Sequence, residues 1–300
     1  MTRSLRMLVA FAATVAMVAP AGTVSAAPLN GRIVFSRGFP SQIYSIAPDG
    51  TDRTRLTHSK LDNSDPTWSA DGSQIAFVRE RRSRGTKLIV MDADGSNQTA
   101  ILEMRGSIRQ PDWFSDGAHI LFCVEGGRVG YRLYVAVADG SDRTPIGPTP
   151  SCDAAVSPDG LQVAFVRFQK NLSSRTDLWL MNAAGTGLTQ LTDDAHSTSP
   201  TWSPDGSQIA FVRSIGSGGD TDLFVMNADG SNRARLTDSR RVEYAPNWSP
   251  DGTSIVFERT NYWDPYSSTD LWTMASDGSE VTQLMDTNGV YEYAPDWQPV

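Results

Sequence analysis

The most constraining feature of this chain is a repeat. Asp-Gly pairs end Met91-Asp-Ala-Asp-Gly95, Val137-Ala-Asp-Gly140 and Met226-Asn-Ala-Asp-Gly230, with variants at Gly50, Gly185 and Gly278. The glycines recur every 45 residues and drift only once, to 48. A second series interleaves with the first: Trp68-Ser-Ala-Asp-Gly72, Trp113-Phe-Ser-Asp-Gly117, Val156-Ser-Pro-Asp-Gly160, Trp202-Ser-Pro-Asp-Gly206 and Trp248-Ser-Pro-Asp-Gly252. Six such periods account for nearly all of 27–300, so one repeat domain is expected there. A fixed long period with 39% hydrophobic residues excludes disorder, collagen, a coiled coil and a polytopic membrane protein.

Each period carries four short strand patterns, for example Pro200-Thr-Trp202, Gln208-Ile-Ala-Phe-Val212, Asp222-Leu-Phe-Val-Met226 and Arg233-Ala-Arg-Leu-Thr237. Short runs of β-branched and aromatic residues bounded by Gly, Pro and Asp are strands rather than helices. Ser-Pro-Asp-Gly suits a tight turn, with Pro pre-setting the second position and Gly accepting a left-handed fourth. Four strands per 40–50 residues, six times over, predict an all-β, six-bladed β-propeller of four-stranded antiparallel blades. Tyr293-Ala-Pro-Asp-Trp297 is an innermost-strand pattern with no hairpin after it, and Gly31-Arg-Ile-Val-Phe35 is a second-strand pattern with none before it. Pairing these terminal segments in one blade closes the ring and removes two open sheet edges. The expected blades are 293–298 with 31–57, then 65–102, 110–146, 153–191, 199–237 and 245–285.

Residues 1–26 read as a cleaved secretory signal. Arg3 and Arg6 supply the positive start, Met7 to Ala21 is almost wholly apolar, and Val24-Ser25-Ala26 offers a small-x-small cleavage site. Pro20 and Gly22 interrupt the run before it reaches the ~20 residues of a membrane span. The expected protein is therefore exported, periplasmic or secreted, with no membrane span in the mature chain 27–300.

The repeated Pro-x-Trp-Ser-Pro-Asp-Gly-x-x-Ile-x-Phe, followed by Leu-x-x-Met-x-x-Asp-Gly and x-x-Leu-Thr, resembles the WD-like repeat of the TolB propeller family across 29–300. The resemblance implies an exported six-bladed propeller that binds protein partners across its channel mouth. It also implies a departure, because no α/β domain precedes the propeller in this sequence. Similar repeats occur fused to peptidases of the prolyl-oligopeptidase and tricorn types, and no such catalytic domain fits in the remaining residues.

In a propeller of this register the near-identical turns between first and second, and third and fourth, strands share one face. The variable loops occupy the other, where function is expected. Thirteen of the 34 acidic residues, from Asp49 to Asp277, fall in or beside the repeated turns, so the net charge of −8 follows from turn chemistry. No nucleic-acid partner is expected. An arginine ends the second strand in five blades, at Arg37, Arg79, Arg167, Arg213 and Arg259, with Phe122-Cys-Val124 the exception. Asp177, Asp222 and Asp270 on the third strands are expected to pair with the last three. Arg37 and Arg79 have no such partner and, with Arg81, Arg82, Arg84 and Arg132, define either a basic rim for an acidic ligand or a solvated face. Val242-Glu-Tyr-Ala-Pro246 and Tyr291-Glu-Tyr-Ala-Pro295 occupy equivalent positions. Glu243, Tyr244, Glu292 and Tyr293 are thus candidates for an aromatic and acidic patch at the channel mouth, or for packing between blades.

Catalytic and metal motifs are missing from the sequence. His58, His119 and His196 lack ligand spacing, and there is no nucleophile elbow, phosphate loop or dinucleotide fingerprint. No cofactor is expected. Cys123 and Cys152 suit either a disulfide between adjacent blades or two buried thiols. The reading is a monomeric, non-enzymatic scaffold that binds a protein or cell-envelope polymer through its loop face. The alternative is a carbohydrate- or lactone-active hydrolase or lyase using channel carboxylates such as Asp65, Asp153 and Glu292, with or without a metal.

Overall fold

The computed structural model describes residues 30–81, 85–126, 130–169, 172–216, 219–260, 268–285, 287 and 289–299, with side chains omitted at 172–174. Blade 1 contains β1 (Ile33–Arg37), β2 (Gln42–Ile46) and β3 (Thr54–Arg55). Blade 2 contains β4 (Asn63–Trp68), β5 (Gln74–Glu80), β6 (Thr86–Asp92) and β7 (Thr99–Met104). Blade 3 follows with β8 (Ser107–Trp113), β9 (His119–Glu125), β10 (Tyr131–Val137) and β11 (Arg143–Ile146). Blade 4 has β12 (Ser151–Val156), β13 (Gln162–Gln169), β14 (Leu172–Asn182) and β15 (Thr189–Gln190). Blade 5 has β16 (Ser197–Trp202), β17 (Gln208–Ile215), β18 (Asp220–Asn227) and β19 (Ala234–Arg235). Blade 6 has β20 (Val242–Trp248), β21 (Ser254–Thr260), β22 (Thr269–Ala275) and β23 (Thr282–Gln283), and β24 (Glu292–Trp297) pairs antiparallel with β1 to complete blade 1. The first strands contact one another in sequence, β24 to β4, β8, β12, β16, β20 and back to β24, so they ring a central channel. Among the described residues no helix is long and apolar enough to cross a membrane.

The core forms at the second strands. Phe35, Phe77, Phe122, Phe165, Phe211 and Phe257, one per blade, are fully buried between neighbouring sheets, and the motif tryptophans Trp68, Trp113, Trp202, Trp248 and Trp297 pack into the same inter-blade clusters. The turns are built from side chains as well as backbone. In the 69–74 turn the Gly72 N–H donates to the Ser69 carbonyl at 2.8 Å, and the Asp71 carboxylate accepts the Ser69 hydroxyl at 2.7 Å and the Ser73 N–H at 3.0 Å. Ser157–Asp159, Ser203–Asp205 and Ser249–Asp251 repeat the contact. These hydrogen bonds favour the ionised form and hold Asp71 down at about 2, with Asp159, Asp205 and Asp229 shifted the same way by equivalent bonds.

The first strands begin earlier than the sequence pattern suggests, at Asn63, Ser107, Ser151, Ser197, Val242 and Glu292. Each continues through a bulge whose residue is left-handed: Asp65, Gln110, Asp153, Ser199, Ala245 and Ala294, all with φ between 46° and 52°. A bulge adds a residue to one strand and reverses the inside–outside parity of what precedes it. Cys123 on β9 and Cys152 on β12 are joined by a disulfide, S–S 2.03 Å, between blades 3 and 4.

Candidate functional site

Four of the five strand-end arginines, Arg37, Arg79, Arg213 and Arg259, have polar partners within the fold. Arg37 Nε donates to Glu292 Oε1 at 2.9 Å, and Arg259 donates to Glu243 Oε1 through Nε at 2.9 Å and Nη2 at 2.7 Å. Glu243 and Glu292 are both 0% exposed. Glu243 also accepts the Thr237 and Ser239 hydroxyls. The expected acidic patch at the mouth is thus corrected, because these glutamates lie directly across the register from arginines and are buried against them. Nor does Arg37 lack a partner. Arg79 donates to the amide oxygens of Asn63 at 2.7 Å and Gln98 at 2.6 Å, and Arg81 pairs with Glu103. Arg82 and Arg84, like the 261–267 loop, lie outside the described residues.

The expected third-strand partners are also corrected. Arg167, Arg213 and Arg259 do sit opposite Asp177, Asp222 and Asp270. Arg213, however, lies 2.9 Å from Asp194, and Asp222 is held by Arg235 at 2.5 Å. In five blades the strand-end arginine instead lies over an aromatic ring: Arg37 on Tyr44, Arg79 on Phe77, Arg167 on Trp179, Arg213 on Phe224 and Arg259 on Trp272, 4.6–5.6 Å from the centroids. In blade 3 the motif position is Val124, and Arg132, directly across the register, supplies the cation over Tyr134 at 6.0 Å.

The channel holds the larger constellation. A cavity of about 680 Å³ opens among the bulges, and its wall includes Asp65, Asp112, Asp153, Glu258 and Asp296, with no Lys, Arg or His among the described residues lining it. Each carboxylate accepts a main-chain N–H from the next blade. The Gln110 N–H donates to Asp65 at 3.2 Å, the Ser199 N–H to Asp153 at 2.8 Å and the Ala294 N–H to Glu258 at 2.7 Å, all three at bulge residues. One step along the strands, the Val156 N–H donates to Asp112 and the Trp68 N–H to Asp296, both at 2.7 Å, and the Trp297 N–H donates to the Asn247 amide oxygen at 3.0 Å. Burial raises all five carboxyls, against the pull of these N–H donors. Asp112 and Glu258 are pushed up to about 7 and Asp296 to about 6, and the Asp296 charge adds to the shift of Asp112. Asp65 and Asp153 were recognisable in the sequence. Glu258 carried a signal too, a lone glutamate at a position that is Val78, Val166 or Val212 in other blades. Among the described residues no three His, Cys, Asp or Glu side chains form a metal-binding group.

Above the channel the lip is aromatic. Phe39 is 95% exposed, Tyr291 53% and Tyr244 42%, and Phe39, Tyr291 and Tyr293 line the cavity. Tyr293 is partly buried, which pushes its hydroxyl up to about 12. Tyr293 lines the cavity and Tyr244 precedes the lining residue Ala245, while Phe39, in the β1–β2 turn, had no distinguishing mark in the sequence.

Six blades, closure through the two termini and an acidic channel under an aromatic lip define a six-bladed propeller scaffold. The family model for the TolB beta propeller domain matches residues 74–299, and the chain belongs to that family. Among solved structures it is similar to TolB from Acinetobacter baumannii, with 20% identity and a TM-score of 0.77 over 90% of this chain and 67% of that one. It is also similar to a TolB-type protein from Agrobacterium tumefaciens, with 19% identity and a TM-score of 0.70 over 90% and 99%. An oligogalacturonate lyase solved with manganese is more distant, at 14% identity and a TM-score of 0.55 over 87% and 75%. At these identities the likenesses concern the fold. Among curated proteins the comparison found no match.

Proposed function

We propose that this chain is an exported propeller scaffold that binds a protein partner at the mouth of its channel. The observation that carries the reading is the exposed aromatic lip of Phe39, Tyr244 and Tyr291 beside a cavity whose wall includes Asp65, Asp112, Asp153, Glu258 and Asp296 and, among the described residues, no Lys, Arg or His. Exposed aromatics around a concavity are good anchors, and the carboxylates beneath them favour a partner segment carrying an amine or guanidinium. Arg37, Arg79, Arg213 and Arg259 are left out of this surface because they are engaged by partners inside the fold. Export rests on the leader pattern of residues 1–26, and the mature N-terminus measured by mass spectrometry tests it.

The experiment is retention from envelope extract by purified 27–300 and by a Phe39→Ala/Tyr244→Ala/Tyr291→Ala variant. These side chains are exposed, so the variant is expected to fold, and the reading requires that it lose a saturable partner kept by the wild type. Equal retention would refute it.

A second reading has one observation in its favour, the gathering of five carboxylates with raised pKa values in one cavity. A carbohydrate- or lactone-active enzyme would use them as acid and base. Against it, each is already committed to a main-chain N–H of the neighbouring blade, which explains its position without chemistry. Glycoside and lactone turnover abolished by Glu258→Gln would revive the enzymatic reading.

A further inference from the structure

The blades serve as their own comparison set at one position, the first-strand residue opposite the strand-end arginine. In blades 1 and 6 it is a glutamate, Glu292 or Glu243, bonded to Arg37 or Arg259. In blade 5 it is Ser197, and Asp194 provides the carboxylate: its Oδ1 accepts the Ser197 hydroxyl at 2.8 Å and its Oδ2 lies 2.9 Å from Arg213 Nε. Blade 4 repeats the serine and the arginine, Ser151 opposite Arg167, but the residue three before the serine is Pro148. Among the described residues no carboxylate lies within 4.0 Å of the Arg167 nitrogens. Ser151 is 0% exposed and its Oγ has no hydrogen-bond partner.

Arg167 of this unfilled pair lines a cavity of about 580 Å³ with Thr149, Pro150, Gln169 and Trp179, and Ser151 follows Pro150 in the chain. Arg167 lies over Trp179, its Cζ 4.7 Å from the ring centroid, a cation–π contact that favours this placement. Asp177 also lines the cavity, but its carboxylate is occupied by the Ala195 N–H at 2.9 Å and the Gln169 amide at 3.4 Å. We propose that blade 4 carries a carboxylate-binding site in which the carboxylate of a ligand takes the place that Asp194 holds in blade 5, against Arg167 and Ser151. The inference is independent of the channel-mouth reading and uses different residues. Only the carboxylate is assigned. A sugar acid and an acidic side chain both carry it, and the test separates them.

The test is titration of isotope-labelled 27–300 at pH 7 with acetate, galacturonate and N-acetylglutamate amide, observing the Trp179 indole and Arg167 Nε signals by NMR. Saturable shifts at both signals are expected. Arg167→Ala should weaken binding at least roughly tenfold, as loss of a charge-assisted hydrogen bond does. Ser151→Glu should block the site by installing the ion pair of blades 1 and 6, and its own Arg167 Nε shift reports that pair. Arg213→Ala, in blade 5, should bind as wild type does. Tighter binding of galacturonate over acetate identifies a sugar acid, and tighter binding of the glutamate derivative an acidic peptide. If no probe saturates, or if Arg167→Ala or a folded Ser151→Glu binds like wild type, the proposal is wrong.

Discussion

At the level of single residues the chain is governed by where burial leaves its charges. Asp112, Asp296 and Asn247 occupy equivalent first-strand positions and each accepts a main-chain N–H from the next blade. An asparagine therefore serves as well as an aspartate there. Burial lifts Asp112 to about 7 in the folded protein, well above its ordinary range. A carboxyl raised on folding stabilises fully below its unfolded value near 4 and loses that contribution as pH climbs through about 7. Asp112→Asn removes this loss. It should match wild type near pH 4 and exceed it at pH 8 by on the order of 1 kcal/mol, roughly 2–4 °C in thermal unfolding. Glu243 makes the opposite case, since a buried carboxylate holding Arg259 leaves an uncompensated buried cation when truncated. Glu243→Ala should cost about 3–5 kcal/mol in urea unfolding. A loss under 1 kcal/mol would mean that the pair is not buried in solution.

At the scale of elements, the turns were legible because their chemistry is local: serine, proline, aspartate and glycine within five residues specify the hairpin without help from the rest of the fold. The first strands were less legible. Alternation assigns faces only in a regular pleat, and the bulges at Ala245 and Ala294 reverse parity just after Glu243 and Glu292, so two glutamates that read as mouth residues are buried. The missing arginine of blade 3 could not be found along one strand either, because Arg132 replaces it from the strand alongside. The disulfide also belongs to this scale. It joins the second strand of blade 3 to the first of blade 4 across 29 residues of chain, a loop whose closure is worth about 3–4 kcal/mol in the chain-entropy treatment. Cys123→Ser/Cys152→Ser should lose about that much stability, and reduction of wild type should produce the same loss in denaturant unfolding.

For the whole molecule, the period of the sequence determined the architecture, and six copies of one motif left little choice of topology. The site was only half legible. Asp65, Asp153, Tyr244 and Tyr293 could be placed near the mouth by register, whereas Asp112, Glu258 and Asp296 converge on one cavity only when the ring closes. Convergence of that kind depends on long-range geometry, which a linear pattern does not encode. The same closure puts the aromatic lip and the repeated turns on opposite faces of the disc, and the account stands on the lip being the face that meets a partner. The most direct measurement is hydrogen exchange of 27–300 with and without the partner retained from envelope extract. Protection is predicted at 38–39, 110 and 291–294, with the 71–73 and 205–207 turns unchanged. Protection confined to those turns, with the mouth exchanging freely, would contradict the account.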